Sequence, residues 1–189
     1  MIIDQFYLLN EDVILLTGEY NEYGKLCARI MIGGQTILVN RSPLQVMDDT
    51  LKYIGFDLKG AIKGTKNILG NINLCPIIVN PYKGICLFPY KSSRKEDCIW
   101  FNPDHIVKTK TRGFKTEVEL SNGVSILIDL KKYTFIYKIQ TALQLKNITN
   151  ERGNHSQPLS SFIEPQKAKL ITKLKEGKYN FKSLGEFNG

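Results

Sequence analysis

CARIMIGGQTILVN (residues 27–40), together with RSPLQVMDDTLKYIG (residues 41–55) directly after it, is the stretch that decides the fold. Its first part contains two apolar, β-branched runs separated only by Gly33-Gly34-Gln35. A short glycine connection between two such runs predicts an antiparallel hairpin. The sequence therefore predicts a strand pair that leads directly into the second part.

The second part predicts a helix that packs on this hairpin. Ser42 is a favoured N-cap residue, Pro43 suits the first helical position, and Gly55 supplies a stop signal. Apolar residues recur at the spacing of one helical face, which is expected to be buried. These residues are Leu44, Met47, Leu51 and Ile54.

Similar patterns extend along the rest of the chain. A second helix is predicted from Asp57 to Gly70 and a third from about Tyr133 to Lys146. Short apolar runs predict strands at FYLLN (6–10), VILLT (13–17), PIIVN (76–80), ICLFP (85–89), CIWFNP (98–103), HIVKTKTR (105–112), KTEVEL (115–120) and GVSILIDL (123–130). Asn122-Gly123, a strong hairpin signal, joins the last two runs. The predicted fold class is α+β, a mainly antiparallel β-sheet with two or three packed helices and a C-terminal helical extension.

The composition changes near residue 147. The segment from Asn147 to Gln157 is polar and predicts a linker. Beyond it, residues 165–176 contain apolar positions at helical spacing and predict a short helix. We therefore expect a β-rich core domain, residues 1–147, and a polar linker with a regulatory or oligomerisation tail, residues 148–189.

The positive charge of the chain is concentrated in its middle. Residues 58–115 contain eleven Lys and Arg side chains and three acidic ones, a net charge of +8 that equals that of all 189 residues. A focused basic segment on a folded chain suggests a polyanionic partner, most often nucleic acid. Charge alone leaves a solvated, lysine-rich surface equally open.

Three elements of the basic segment are candidates for binding DNA. Lysines at positions i, i+4 and i+7 of the second helix form a stripe. A loop between two apolar runs is expected to be exposed, and alternate cations of a later strand share one face. The candidates are Lys59, Lys63 and Lys66 on the helix, Lys91, Arg94 and Lys95 in the loop, and Lys108, Lys110 and Arg112 on the strand.

The aromatic side chains do not add an obvious platform for single strands. Binding of single-stranded nucleic acid requires exposed aromatic rings on which bases stack. The available rings lie in apolar runs, and we predict that they belong to the core. They are Tyr82, Phe88, Tyr90, Trp100 and Phe101.

Nothing in the sequence supports an enzyme, and we predict no catalytic residue, cofactor or metal. The two histidines are His105, expected to be structural, and His155, in the predicted linker. The chain lacks the G-x-S-x-G, G-x-G-x-x-G and Walker A motifs. The four cysteines, which we expect to be thiols, include no close pair of the kind that structural zinc sites use. A zinc-dependent or thiol enzyme stays open as an alternative that metal content would test.

No membrane association is expected either. No apolar run approaches the roughly 18 residues that span a bilayer, and the N-terminal residues lack the basic region of a signal peptide. We therefore expect a cytoplasmic protein.

The stretch from Val39 to about Leu143 resembles the competence transcription factor (ComK) family of Gram-positive bacteria. The combination of Asn-x-x-Pro-Leu-Gln, Leu-Phe-Pro-x-x-Ser-Ser and Trp100, in this order and spacing, carries the resemblance. The matching segments are VNRSPLQVMDDTLKYIGF (39–56), GAIKGT (60–65), CPIIVNPYKGICLFPYKSSRKEDCIWFNPDHI (75–106) and TEVELSNGVSI (116–126). In the tail, Phe162-Ile163-Glu164-Pro165 is only a partial match to the family's adaptor-recognition segment.

The resemblance implies an activator of genes for DNA uptake and recombination. Family members bind paired A/T-rich boxes of double-stranded DNA as oligomers, largely through the minor groove, bend the DNA and help RNA polymerase to engage. An adaptor and a Clp-type ATPase control their level by proteolysis, which would involve the C-terminal tail here. The protein is then expected at the nucleoid.

The residues themselves suggest how such binding would occur. A narrow A/T-rich minor groove concentrates negative potential and attracts Arg and Lys. Within the loop Lys91–Lys95, Arg94 is the best candidate for insertion because a guanidinium is less strongly hydrated than an ammonium. The helix and strand lysines would hold flanking phosphates. The alternative is a protein-interaction module that has a basic surface and no specific DNA recognition.

Overall fold

The protein contains two β-sheets and three helices within residues 2–3 and 6–154, the part of the chain that the computed structural model describes. The helices are α1 (Pro43–Tyr53), α2 (Leu58–Leu69) and α3 (Lys132–Asn154). The strands are β1 (Ile2–Ile3), β2 (Val13–Tyr20), β3 (Leu26–Ile32), β4 (Gln35–Val39), β5 (Ile77–Asn80), β6 (Ile85–Pro89), β7 (Trp100–Phe101), β8 (Ile106–Arg112), β9 (Lys115–Leu120) and β10 (Ser125–Ile128).

The strands form a large and a small sheet. Among the described residues, the larger sheet has seven strands in the order β1-β4-β3-β2-β7-β6-β5, and the smaller has three in the order β10-β9-β8. Strand β1 pairs with β4 in parallel, and every other pair is antiparallel. The predicted α+β class with a mainly antiparallel sheet is confirmed.

The stretch 27–55 folds as a hairpin and a helix, as predicted. Strands β3 and β4 pair from Ala28 opposite Val39 to Ile32 opposite Gln35. At the start of α1, the Gln45 amide donates to Ser42 Oγ at 3.4 Å, and the Ser42 amide donates to Gln45 Oε1 at 2.9 Å. This capping box satisfies two amides that the helix itself leaves without a partner.

The buried face of α1 differs from the predicted stripe. Met47 and Leu51 are buried, but Leu44 is 36% exposed and Ile54 is only half-buried. Val46 lies in the core instead. The buried face of a helix is wider than a single row of apolar residues, so the spacing of the apolar residues alone did not determine where that face is centred.

The larger sheet buries side chains on both of its faces. Successive residues of a strand point to opposite faces, so neighbouring residues can belong to different clusters. Leu87 packs in a cluster with residues of α1, whereas its neighbour Phe88 packs in a second cluster with α3 and the smaller sheet. Phe135 of α3 lies 5.7 Å from Phe88 and 5.3 Å from Phe101, measured between ring centroids. The core therefore has two halves, one on each side of the sheet.

Several segments differ from their predictions. FYLLN (6–10) is not a strand, and the Leu9 amide donates to Thr50 Oγ1 on α1 at 3.1 Å. Helix α3 continues to Asn154, so residues 147–154, which were predicted to begin the linker, are helical. The division into core domain and tail stays a prediction, and the short helix at 165–176 lies outside the described residues.

Four of the five aromatic rings that were predicted to belong to the core are buried, and one is not. Phe88, Tyr90, Trp100 and Phe101 are buried as predicted. Tyr82 is 78% exposed, and this prediction is wrong because the ring follows the end of β5 in a turn.

Candidate nucleic-acid interface

The loop Lys91–Ile99 between β6 and β7 has a fixed shape. The Lys95 amide donates to the Ser92 carbonyl at 2.9 Å, and the Cys98 amide donates to the Lys95 carbonyl at 3.0 Å. At its base, the Cys98 thiol donates to the Lys91 carbonyl at 3.3 Å. These successive turns are a physical reason for the loop to hold one conformation. We call this segment the basic loop.

Strand β2 fixes the position of the basic loop. The Gly18 amide donates to the Glu96 carbonyl at 3.1 Å. A Cβ at position 18 would lie 2.2 Å from that oxygen, so only glycine allows this approach. Nearby, a hydrogen bond from the Tyr20 hydroxyl to the Glu96 carboxylate raises the pKa of Tyr20. The loop is thus held by main chain and by one side chain.

Arg94 of the basic loop and Lys66 of α2 line one cleft of about 540 Å³. The segment 72–75 and Trp100 form other parts of its wall. The fold therefore brings these two cations, which are far apart in sequence, to the walls of the same cleft. We call this surface the basic cleft.

Helix α2 carries the lysine stripe predicted from the sequence. Its N-cap is Asp57, whose Oδ1 accepts from the Gly60 amide at 2.8 Å. Lys59, Lys63 and Lys66 are exposed along the helix, and Lys66 reaches the basic cleft. The helix therefore begins and ends as predicted, and its cations point to solvent.

The cations differ in whether acidic side chains neutralise them. Six of the nine candidate cations form no salt bridge with an acidic side chain within residues 6–154. These six are Lys59, Lys63, Lys66, Arg94, Lys95 and Lys108. Such cations are available for phosphate without breaking an internal pair.

Lys91 is used internally. Its ammonium pairs with the Asp97 carboxylate and lies 5.2 Å from the centroid of the Tyr90 ring. Desolvation alone would lower the pKa of Lys91, but hydrogen bonds with Asp97 and Tyr90 outweigh it and raise the pKa. The Lys91 hydrogen bond lowers the pKa of Asp97 in turn. Lys91 therefore closes the loop at its base.

The strand cations lie on a face with mixed charge. Lys108, Lys110 and Arg112 share one face of β8, as the alternation predicts. Glu119 and Glu117 lie opposite the first two across the ladder. Lys110 Nζ is 3.5 Å from Glu117 Oε1, and Arg112 pairs with the same carboxylate. Hydrogen bonding from Arg112 lowers the pKa of Glu117. This face is less positive than β8 alone suggested.

The segment 72–75 forms part of the basic cleft, and no sequence pattern predicted this role. It carries no charge, but Leu74 has a φ of 56°, in the left-handed region that non-glycine residues rarely adopt. The Cys75 thiol donates to the Ile72 carbonyl at 3.2 Å. Backbone conformation of this kind has no local sequence signal when the residue is leucine.

The described histidine and the cysteines, the other residue types considered for catalysis or metal binding, make contacts within the fold. His105 Nδ1 is 2.7 Å from Ser121 Oγ, and its Nε2 is 2.8 Å from the Glu11 carbonyl oxygen. The four cysteines are free thiols, and burial raises the pKa of Cys86 to about 12. In the described part of the chain, no three His, Cys, Asp or Glu side chains gather as metal ligands would. His155 lies outside that part.

No helix within the described ranges has the length and hydropathy that a membrane span requires.

Comparison with known proteins identifies the family. The family model described as ComK protein matches residues 4–154, and the chain therefore belongs to the ComK protein family. It is also similar to the competence transcription factor of Bacillus subtilis (strain 168), with 29% identity over 136 residues, which are 71% of each chain. No solved structure matches the chain significantly. The resemblance found in the sequence is confirmed.

Proposed function

We propose that this protein is a DNA-binding transcription activator of competence genes and that the basic loop enters the minor groove of A/T-rich sites. Membership of the ComK family and similarity to the competence transcription factor of Bacillus subtilis support the regulatory role. The observation that carries the groove assignment is the unpaired Arg94 on a loop whose position is set by Gly18 and Glu96. A loop that is already ordered loses little conformational entropy on binding.

Arg94 suits this groove for an electrostatic reason. A narrow A/T-rich minor groove has an enhanced negative potential, and its hydrogen-bond pattern distinguishes little beyond A·T from G·C. A single inserted guanidinium would therefore select A/T-rich sequence without reading individual bases. Lys95 would bind the adjacent backbone.

The lysines of α2 would contact flanking phosphates. Lys66 shares the basic cleft with Arg94, and Lys59 and Lys63 continue along the helix. Bending of the DNA toward α2 would bring more of these ammonium groups to the backbone. Lys108 is a further candidate, whereas Lys91, Lys110 and Arg112 would contribute less because carboxylates already pair with them.

The remaining parts of the proposal concern partners. We propose that the protein acts in the cytoplasm at the nucleoid, as a dimer or higher oligomer on paired A/T-rich boxes, and helps RNA polymerase to engage. Its C-terminal tail would present the segment that a Clp protease adaptor recognises. No part of this proposal requires catalysis, a cofactor or a membrane.

Substitution of Arg94 tests the groove assignment. We expect Arg94→Ala to weaken binding to an A/T-rich duplex by roughly tenfold or more, since a charged hydrogen bond contributes about 1.5–3 kcal/mol. The loss on a G/C-rich duplex should be smaller. Fluorescence anisotropy with labelled duplexes measures both. Arg112→Ala is the matched control, because Glu117 already pairs with that guanidinium.

Equal losses on both duplexes would reduce Arg94 to a phosphate contact. A minor-groove-binding drug should also compete with the wild-type protein for A/T-rich sites. Unimpaired binding in the presence of the drug would contradict the groove assignment while leaving DNA binding itself intact.

A further inference from the structure

A second cleft, of about 520 Å³, lies between α3 and the segment that leads into β5. Thr134, Tyr137 and Lys138 line it from α3, and Ile72 and Leu74 line it from the other side. Phe88 and Leu130 contribute to its mainly apolar wall. Its volume falls within the roughly 300–1,000 Å³ that small-molecule sites occupy. We call it the α3 cleft.

Lys138 is an unpaired cation in this apolar surrounding. Its side chain is half-buried, and within residues 6–154 its ammonium has no hydrogen bond or salt bridge. Burial lowers the pKa of Lys138, and Cys98 opposes this only through a charge interaction. A cation that loses hydration without gaining a partner is energetically unfavourable. An anion placed in the cleft would supply the missing partner.

The other polar groups of the cleft are already engaged or neutral. Lys91 also lines it but pairs with Asp97. Thr141 Oγ1 donates to the Tyr137 carbonyl at 2.8 Å. Among the residues that the structure describes as lining the cleft, no carboxylate is present. The cleft thus offers one free positive charge beside an apolar wall.

We propose that the α3 cleft binds a small organic carboxylate with an apolar body, with Lys138 as the partner of the carboxylate. The single free ammonium matches one negative charge. A phosphorylated ligand, which carries more charge and more acceptor atoms, would leave oxygens unsatisfied against the apolar wall. The aliphatic side chains of Ile72 and Leu74 would cover the ligand's hydrocarbon part.

Octanoate is a suitable probe, with octylammonium as a control of equal chain length and opposite charge. Isothermal titration calorimetry on the full-length protein should show saturable binding of one octanoate per chain and none of octylammonium. Lys138→Met keeps an unbranched apolar side chain and removes the charge, so it should weaken octanoate binding about tenfold or more. Lys132→Met on the same helix, away from the cleft, should leave it unchanged.

A second variant tests the cavity independently of the charge. Thr134→Phe would fill the α3 cleft from α3 and should abolish octanoate binding while Lys138 remains. Equal binding of octanoate and octylammonium, or wild-type affinity in both Lys138→Met and Thr134→Phe, would overturn the proposal. So would the absence of saturable octanoate binding. These measurements contain no DNA, so they are separate from the test of the proposed function.

Discussion

At the residue scale, Gly18 is the position on which the basic loop depends. The Cβ of Gly18→Ala would lie 2.2 Å from the main-chain oxygen of Glu96 and 2.9 Å from Leu26 Cδ1. The loop would have to move, and we expect a loss of roughly 1–3 kcal/mol in unfolding free energy. Affinity for A/T-rich DNA should fall with it. Urea denaturation and fluorescence anisotropy measure the two effects.

Gly34→Ala is the matched control for this change. A Cβ there has no heavy atom within 4 Å, so stability and DNA affinity should both stay close to wild type. If Gly18→Ala kept wild-type affinity for A/T-rich DNA, the fixed position of the basic loop would not matter for binding.

At the element scale, α2 contains two glycines with different surroundings. A Cβ at Gly64 has no heavy atom within 4 Å, whereas one at Gly60 would lie 3.3 Å from Oδ2 of the N-cap Asp57. Since alanine is favoured over glycine inside a helix, Gly64→Ala should raise the unfolding free energy by about 0.5–1 kcal/mol. Gly60→Ala should gain less because it crowds the cap. Urea denaturation of both variants provides the comparison.

DNA affinity should not change in Gly64→Ala, because Lys63 and Lys66 keep their places. A decrease in stability for Gly64→Ala would contradict this prediction. It would mean that another part of the chain packs against position 64 more closely than the structure shows.

At the scale of the whole molecule, the cations without a salt bridge would determine how the proposed DNA binding responds to salt. If four to six of them contact phosphates, the logarithm of the binding constant should fall with the logarithm of salt concentration with a slope of roughly −4 to −5. Anisotropy titrations across a salt series measure the slope. Lys63→Ala should make it shallower, and Lys110→Ala should change it less, because Glu117 and Glu119 lie beside Lys110.

A flat salt response would overturn DNA binding and favour the alternative of a protein-interaction module. Binding to nucleic acid depends on salt because it releases counterions, so a flat response would indicate that the basic cleft binds a partner of another kind.

Local signals in the sequence predicted most elements of the fold but not how they meet. The hairpin at Gly33-Gly34 and the cap at Ser42 depend on neighbouring residues, so they were predictable. The parallel pairing of β1 with β4 joins residues that are far apart in sequence, so no local sequence pattern predicts it. The length of α3 was underestimated because its last turns are polar.

The candidate site was predictable to the same extent. Alternation placed Lys108, Lys110 and Arg112 on one face, but the carboxylates that oppose them come from β9, and their pairing depends on strand register. Exposure of the basic loop followed from its polarity, whereas its anchoring at Gly18 followed from tertiary contact alone. The sequence therefore identified the cations but could not distinguish the free ones from the paired ones.

The anchoring of the basic loop by Gly18 also has an evolutionary consequence. The contact joins main-chain atoms, so it does not depend on which side chains the loop carries at its tip. Ser93, Arg94 and Lys95 are exposed and can be exchanged without altering the path of the chain. If the basic loop contacts DNA as proposed, substitutions at these three positions would change the DNA preference while the rest of the molecule stays the same.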